Sequence, residues 1–215
     1  MTPLIVVLSS PSGGGKSTIA GRLLAGRDDI GYSVSATTRS PRSGEVDGRE
    51  YHFLTPEAFE ARVEAGEFLE HAVYNGHRYG TLEQEVRRVT QGGRHALLDI
   101  EVAGARMVRQ RFRDAVLVFV LPPSGKALVE RLRQRGTESD AVLAGRLEQA
   151  LEELAAAVEY DYVVVNDAID DAVDAVSRII DVESRRMSRL RNAQVLLDRL
   201  RAEVAAELAR GTTQA

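Results

Sequence analysis

One run of residues has the types and spacing of a phosphate-binding loop: Gly13-Gly14-Gly15-Lys16-Ser17. An apolar segment, residues 4–8, precedes it, and a helix-like segment, residues 17–25, follows it. The motif requires this setting, because loop N–H groups and the positive end of the helix must face phosphate oxygens. Lys16 is predicted to reach the β- and γ-phosphates of ATP, and Ser17 to offer its hydroxyl to Mg²⁺. The predicted ATP-binding residues of the loop are Ser12, Gly13, Gly14, Gly15, Lys16, Ser17 and Thr18.

The loop departs from the usual pattern at its first position. The pattern begins with glycine five residues before Gly15, and this chain has Ser10 there. If the backbone at that position has a positive φ, a serine costs about 1 kcal/mol. The motif by itself indicates only a bound nucleoside triphosphate, because motor proteins, GTPases and small-molecule kinases share it.

Polar residues that could bind the acceptor of a phosphoryl group lie in three clusters between residues 35 and 81. They are Ser35, Arg39, Arg42, Glu45 and Tyr51, then Glu70, then Tyr79 and Thr81. A guanidinium donates two parallel hydrogen bonds to a phosphate, and tyrosine hydroxyls add neutral donors. Each residue alone has an ordinary interpretation, as a packed tyrosine, a solvated arginine or a surface carboxylate. The arginines and tyrosines together could form a cradle for a phosphate.

The elements that position these residues are indicated by apolar runs. Four runs, at residues 4–8, 97–100, 115–121 and 162–165, are rich in Val, Ile and Leu and do not alternate with polar residues. This is typical of strands buried on both faces of a parallel sheet. Helix-like segments lie between them, at residues 17–25, 82–90, 104–111 and 126–135. The alternation predicts an α/β fold, a three-layer P-loop core with a parallel sheet.

Two parts of the chain fall outside this core pattern. Residues 38–80 form short polar strand-like pieces, and Asn75-Gly76 predicts a tight hairpin, so we expect a small, mostly antiparallel insertion. The core then comprises residues 1–37 and 81–184, with a helical lid at about residues 126–155. Residues 185–215 form a helical tail with leucines at heptad spacing, predicted to pack on its own domain, with a homodimer helix as the alternative.

Composition excludes several functional classes. The chain has 215 residues, no cysteine and a net charge of −4, which excludes disulfides and cysteine nucleophiles and argues against a general nucleic-acid binder. No apolar stretch approaches the roughly 18 residues of a membrane helix, and the first residues do not resemble a signal peptide. A cytoplasmic protein without membrane or nucleic-acid partners is therefore expected.

The phosphate-binding loop and the three polar clusters together resemble the guanylate kinase family, over roughly residues 4 to 184. Further matching motifs are Pro122-Pro123-Ser124, residues 131–138, Arg146-Leu147 and Val165-Asn166-Asp167. The resemblance implies ATP and GMP as substrates, with dGMP as a further candidate acceptor, and Mg²⁺ as the cofactor.

The resemblance also implies which residues bind each part of the acceptor GMP. Arg39, Arg42, Tyr51 and Tyr79 would hold the GMP phosphate; Ser35, Glu70 and Thr81 would read the base; Glu45, Asp99 and Glu101 would complete the site. A carboxylate at Glu70 could accept hydrogen bonds from both N1–H and the 2-amino group of guanine. Adenine offers neither donor there, and a site of this kind can discriminate by about 10⁴-fold.

On the ATP side, the implied residues include arginines of the lid. Arg131 and Arg135 are four residues apart and share a helical face with no anion between them, so a triphosphate or a neighbouring glutamate must neutralise them. Asn166 and Asp167 would border the adenine, and Asp99 would act with Ser17 on Mg²⁺ or its waters. The predicted catalytic residues are Lys16, Arg42, Arg131, Arg135 and Arg146. The family often has a second aspartate followed by Gln-Gly, where this chain has Glu101 and then Val102-Ala103-Gly104.

Two alternatives remain at this stage. Some guanylate-kinase-like domains are interaction modules without catalysis, but they are expected to lose the loop lysine, and this chain keeps Lys16. A relative that phosphorylates a ribosyl phosphate would have no use for the base-reading residues.

Overall fold

The computed structural model describes residues 2–74, 76–134, 140–190 and 193–213. Its main sheet has five parallel strands in the order β2-β7-β1-β8-β9. Their bounds are β1 Ile5–Ser9, β2 Ile30–Tyr32, β7 His95–Asp99, β8 Val116–Leu121 and β9 Tyr162–Val165. The four predicted apolar runs are confirmed as strands β1, β7, β8 and β9, and the parallel α/β core is confirmed with them.

Helices cover both faces of this sheet, as a parallel sheet requires. Their bounds are α1 Lys16–Gly26, α3 Glu83–Gln91, α4 Val102–Arg111 and α7 Ile169–Ser184. On one face, Ile19 of α1 and Val176 of α7 pack against Val6 of β1. On the other, Val86 of α3 and Val108 of α4 pack in the cluster that contains Val7. Successive residues of β1 thus point into different cores, which explains why the run is apolar without alternation.

The outermost strand β9 does not fit the prediction of burial on both faces. Val164 is buried in the cluster that contains α7 residues, whereas Val163 and Val165 are 50% and 53% exposed. The prediction is wrong for this strand because α7 covers only the face that carries Val164. The edge strand β2 was not predicted at all, since it has three residues with Gly31 in the middle.

A second sheet has four strands in the order β4-β3-β6-β5. Its bounds are β3 Ser35–Thr37, β4 His52–Phe53, β5 Phe68–Tyr74 and β6 His77–Leu82, with helix α2 Pro56–Glu64 packed beside it. Two of its three pairings are antiparallel, as predicted. Tyr74 pairs with His77, so the predicted hairpin is present, although Asn75 of its turn lies outside the described residues.

The remaining α-helices of the described residues are α5 Gly125–Gln134, α6 Asp140–Ala155 and α8 Ala193–Thr213. Leu128 and Leu132 of α5 pack with Ala150 of α6, which joins the two helices of the predicted lid. The tail helix α8 is different: Leu197, Val204 and Leu208 are 41%, 69% and 71% exposed. The prediction that it packs on its own domain is therefore wrong. Within the described part of the chain, no helix is long and apolar enough to cross a membrane.

Candidate active site

The phosphate-binding loop connects β1 to α1 at the carboxyl edge of the main sheet. Gly13 and Gly15 have φ values of 86° and 95°, which glycine adopts without steric cost. Gly15 is the N-cap of α1 and has no side chain to cap it, so N–H groups at the start of the helix are left for a ligand. The local sequence therefore forms the anion-binding helix start that the motif predicts.

Ser10 is buried at the start of this loop. It is 2% exposed, and its hydroxyl donates to the carbonyl of Pro11 at 3.0 Å. A Cβ on Gly14 would lie 2.6 Å from the Cβ of Ser10, closer than atoms can pack. Serine at position 10 thus makes glycine obligatory at position 14.

Lys16 is held by two carboxylates at the carboxyl end of β7: Asp99 is the last residue of the strand, and Glu101 lies two residues further on. Its ammonium donates to Glu101 Oε1 at 2.5 Å and lies 3.6 Å from Asp99 Oδ1. Burial lowers the pKa of Lys16, but the charges of Glu101 and Asp99 outweigh it, and the net shift is upward. Lys16 is therefore cationic at any physiological pH.

The predicted base-reading residues form one row across the second sheet. Ser35 of β3 pairs with Thr81 of β6, and Thr81 pairs with Glu70 of β5. Directly paired residues point to the same face, so the three side chains converge. The Thr81 hydroxyl donates to Glu70 Oε1 at 2.7 Å. Strand register, which the sequence alone does not give, explains how residues far apart in the chain share one site.

The Glu70 carboxylate is almost completely buried. The residue is only 4% exposed, and burial raises its pKa to about 7, with the hydrogen bonds from Thr81 opposing the shift. The charge of Glu101 adds a smaller upward contribution. A buried carboxylate with spare acceptor capacity is suited to a ligand that brings its own N–H donors.

A cavity of about 230 Å³ joins this row to the phosphate-binding loop. Lys16 and Ser17 line it at the loop, and Ser35 and Glu70 line it at the second sheet. Tyr51, Tyr79, Asp99 and Glu101 complete the set of predicted residues that line it. Thr81 is fully buried behind Glu70.

The predicted phosphate cradle lies beside this cavity. The rings of Tyr51 and Tyr79 meet edge to face with centroids 5.9 Å apart, and the Arg39 guanidinium lies 5.4 Å from the Tyr51 centroid. Both Glu45 carboxylate oxygens accept from Arg39 at 2.9 Å, which holds the pKa of Glu45 below its usual range. Arg42 is exposed, and its backbone N–H donates to Glu45 at 2.7 Å. Arg39, Arg42 and Glu45 do not line the cavity, and the structure places Glu45 against the arginines.

On the nucleotide side, side chains from the lid and the β9–α7 connection contact the phosphate-binding loop. Arg131 donates to the carbonyl of Asn166 at 3.2 Å, and Arg146 donates to the Ser12 hydroxyl at 3.3 Å. Asn166 donates to the carbonyl of Gly14 at 2.9 Å. A shallow pocket beside Gly13 and Gly15 is lined by Thr18, Arg131, Asn166 and Asp167. The predicted catalytic Arg135 lies outside the described residues.

Two residues of the candidate site were not predicted: Glu153 beside the phosphate-binding loop, and Tyr32 in the cavity that Lys16 and Glu70 line. Glu153 of α6 is 7% exposed and accepts from the Ser12 backbone N–H at 3.1 Å, while Gln149 donates to its other oxygen at 2.9 Å. Burial and the charge of Glu101 raise the pKa of Glu153. Tyr32 lines the acceptor cavity, and burial raises its pKa. A hydrogen bond that spans 141 residues has no local sequence signal, so Glu153 could not have been found from spacing.

Fold and site together define a three-layer P-loop protein with an acceptor pocket facing its phosphate-binding loop. The sequence model of the guanylate kinase family matches residues 2–183. A guanylate kinase from Clostridium perfringens is 44% identical over 188 residues, 87% of each chain, and one from Synechocystis sp. is 48% identical over 179 residues, 83% of this chain and 94% of the other. The crystal structure of guanylate kinase from Anaplasma phagocytophilum is 34% identical, covers 92% of this chain and 94% of its own, and has a TM-score of 0.76. The chain belongs to the guanylate kinase family.

Proposed function

We propose that this chain transfers the γ-phosphoryl group of ATP to GMP and gives ADP and GDP. The observation that carries the proposal is the continuous cavity with Lys16 at one end and Glu70 at the other. An acceptor that spans this cavity presents its phosphate to the loop and its base to the second sheet. Guanine is the base whose donors match the carboxylate there.

Selection of guanine rests on the row of Ser35, Thr81 and Glu70. The ionised Glu70 accepts from N1–H and the 2-amino group, and the Ser35 hydroxyl donates to O6 or N7. Thr81, whose hydroxyl proton is donated to Glu70 Oε1, serves the base by holding that carboxylate in place. Adenine offers neither the N1–H nor the 2-amino donor to the buried carboxylate, and a site of this kind can discriminate by about 10⁴-fold. Nothing in this row reads the sugar, so we expect dGMP to be accepted as well.

The acceptor phosphate is assigned to Arg39, Arg42, Tyr51 and Tyr79. Glu45 holds Arg39 by a two-oxygen ion pair, and so Glu45 serves this site by orienting the arginine. Arg42 is exposed and has room to turn toward the phosphate.

The transfer step needs no general base, because a phosphate oxygen is already an anion at neutral pH. Lys16 exchanges Glu101 and Asp99 for the phosphates of ATP and neutralises charge as the bond to the leaving oxygen breaks. Arg131 and Arg146 add positive charge from the lid, and Arg135 is assigned the same role from the sequence. Lys16, Arg42, Arg131, Arg135 and Arg146 are therefore the proposed catalytic residues. Closure of the lid would exclude water, which otherwise accepts the phosphoryl group.

Mg²⁺ is the proposed cofactor, and residues beside the loop fit it. Asp99 Oδ1 is buried without a hydrogen-bond partner, and Ser17 lines the same cavity. Among the described residues, no group of three or more His, Cys, Asp and Glu side chains could hold a metal unaided. This suits Mg²⁺, which is usually bound by one or two protein oxygens together with substrate phosphates. Ser17 and Asp99, directly or through water, would hold the ion, which supplies charge neutralisation at the phosphates.

The remaining assignments are part of the same proposal. The domain division is 1–37 with 81–184 for the core, 38–80 for the acceptor insertion and 185–215 for the tail. We also propose a cytoplasmic location, no nucleic-acid or membrane partner, and a homodimer through the tail. The ATP side is assigned to residues 12–18 with Arg131, Asn166 and Asp167.

The proposal is tested by a coupled assay of ADP formation with GMP, AMP, CMP, UMP and a base-free ribosyl phosphate as acceptors. Efficient turnover with GMP alone is the expected result. Failure to turn over GMP would refute the proposal. Binding of GMP without turnover would favour an interaction module, and turnover of a base-free ribosyl phosphate would favour the other alternative enzyme.

A further inference from the structure

A glycine in the first turn of α4 lies directly against the Glu70 carboxylate. Gly104 is buried, and helix α4 packs on β5, the strand that carries Glu70. A Cβ built on Gly104 would lie 2.6 Å from Glu70 Oε2, 2.9 Å from Cδ and 3.2 Å from Cγ. Gly104 also lines the acceptor cavity. The backbone of α4 is thus one wall of the Glu70 carboxylate site.

The close approach is not required by the backbone conformation of the helix. Gly104 lies within an α-helix and has no positive φ. The three atoms nearest to a Cβ at this position all belong to the Glu70 side chain. Since those atoms can rotate, alanine at position 104 is compatible with the fold but not with the present position of the carboxylate.

The displacement would be large for a hydrogen-bonding group. Carbon and oxygen atoms in ordinary contact stay about 3.5 Å apart, so Oε2 must move by about 1 Å. Oε1 belongs to the same carboxyl group and accepts from Thr81 at 2.7 Å, so any such movement strains that bond too. A recognition group must be held within about 0.5 Å of its productive position.

From this geometry we infer that Gly104 is a specificity-determining positioning residue for the acceptor base. Its missing side chain lets the Glu70 carboxylate lie where N1–H and the 2-amino group of guanine reach it. The inference rests on the proposed function, in which Glu70 reads guanine. Base selection then depends on α4, a helix of the P-loop core, as well as on the second sheet.

The test compares Gly104→Ala with Gly21→Ala. Gly21 is also helical, in α1, but nothing lies within 4 Å of a Cβ built there. Both substitutions raise helix propensity, by up to about 1 kcal/mol, so the difference that bears on the acceptor is what the new methyl group meets. Steady-state assays with GMP and with AMP, at saturating ATP, give the acceptor preference of each variant, and thermal unfolding reports whether it is folded.

For Gly104→Ala we expect the KM for GMP to rise about tenfold or more and the GMP/AMP preference to fall by a similar factor, because a misplacement of about 1 Å can cost up to about 10²-fold. The KM for ATP should change less than about twofold, since the three atoms nearest to the new methyl group all belong to Glu70. Gly21→Ala should behave as the unsubstituted chain. In a Glu70→Gln background, Gly104→Ala should add little, because both changes act on one group.

An unchanged GMP/AMP preference in folded Gly104→Ala would overturn the inference and leave the proposed function intact. A Gly104→Ala chain that does not fold would also overturn it, because the glycine would then serve the fold. Absence of GMP turnover in the unsubstituted chain would instead refute the proposed function.

Discussion

The acceptor side and the ATP side of the site are organised in different ways. On the acceptor side, Ser35, Thr81 and Glu70 stand on three paired strands and point to one face, with Thr81 already bonded to Glu70. On the ATP side, the groups proposed to contact phosphate are backbone N–H groups of the glycine loop and Lys16, which is bonded to protein carboxylates. Under the proposed function, base selection relies on strand pairing that is already formed, whereas phosphoryl transfer requires ion pairs to exchange.

This difference has a mechanistic consequence. Lys16 must leave Glu101 before it can serve ATP, and Arg146 must leave the Ser12 hydroxyl if it is to reach a phosphate. Glu70 needs no new conformation, because guanine brings the missing donors to it. Substitutions on the ATP side should therefore act mainly on the rate, and substitutions on the acceptor side mainly on the choice of base.

The largest effect is expected for Lys16→Ala. It should lower kcat by about 10³-fold or more, because the main positive charge at the transferred group is lost. The affinity for GMP, measured by calorimetric titration, should change only a few-fold. A variant that keeps the full rate would remove Lys16 from the mechanism, and a variant that loses GMP binding would end the separation between the two sides.

Glu70→Gln should have the next largest effect, on selectivity. The amide places an N–H₂ group where guanine also presents donors, so the ratio of kcat/KM for GMP to that for AMP should fall by about 10²-fold or more. Glu67→Gln is the control, because Glu67 is exposed and precedes β5. An unchanged ratio in Glu70→Gln would show that the base is read elsewhere.

The buried carboxylate also predicts a pH dependence of stability. Burial raises the pKa of Glu70 to about 7, above the 4.5 of an exposed glutamate, so its stabilising contribution is complete below pH 4.5 and is lost as pH rises through 7. By pH 8 the loss is at most about 3 kcal/mol. Denaturant unfolding of the unliganded chain and of Glu70→Gln at pH 5 and pH 8 measures it. The original chain should lose stability relative to Glu70→Gln over this range, and parallel changes would contradict the assignment.

The smallest effect is expected for Glu153→Gln. The amide oxygen can still accept from the Ser12 N–H, but without the negative charge, so the KM for ATP should rise only about three- to tenfold. The KM for GMP should not change. Glu152→Gln, on the exposed side of the same helix, is the matched control. Equal effects of the two substitutions would show that Glu153 does not anchor the loop.

Much of this organisation could be predicted from the sequence, for identifiable reasons. The apolar runs of β1, β7, β8 and β9 carry their own signal, since burial between helices demands it. The glycine loop has a fixed spacing between strand and helix. Ser35, Glu70 and Thr81 were found through family resemblance, and their convergence follows from a strand register that only the structure supplies.

The features that could not be predicted from the sequence depend on contacts between distant segments. Gly104 looks like any helix glycine until α4 is packed on β5. Glu153 is one of several glutamates in α6, and only the packing of that helix brings it to Ser12. The leucines of α8 suggested burial, yet an amphipathic pattern does not specify which surface, if any, covers it.

The central claim is that this chain selects GMP as its phosphoryl acceptor through a site already formed in the sheet. The most direct test is a competition in one vessel, with ATP labelled at its γ-phosphate and equal concentrations of GMP and AMP. The account predicts that nearly all transferred label appears in GDP, by a ratio of about 10⁴ over label transferred to AMP. Comparable labelling of both products would contradict it.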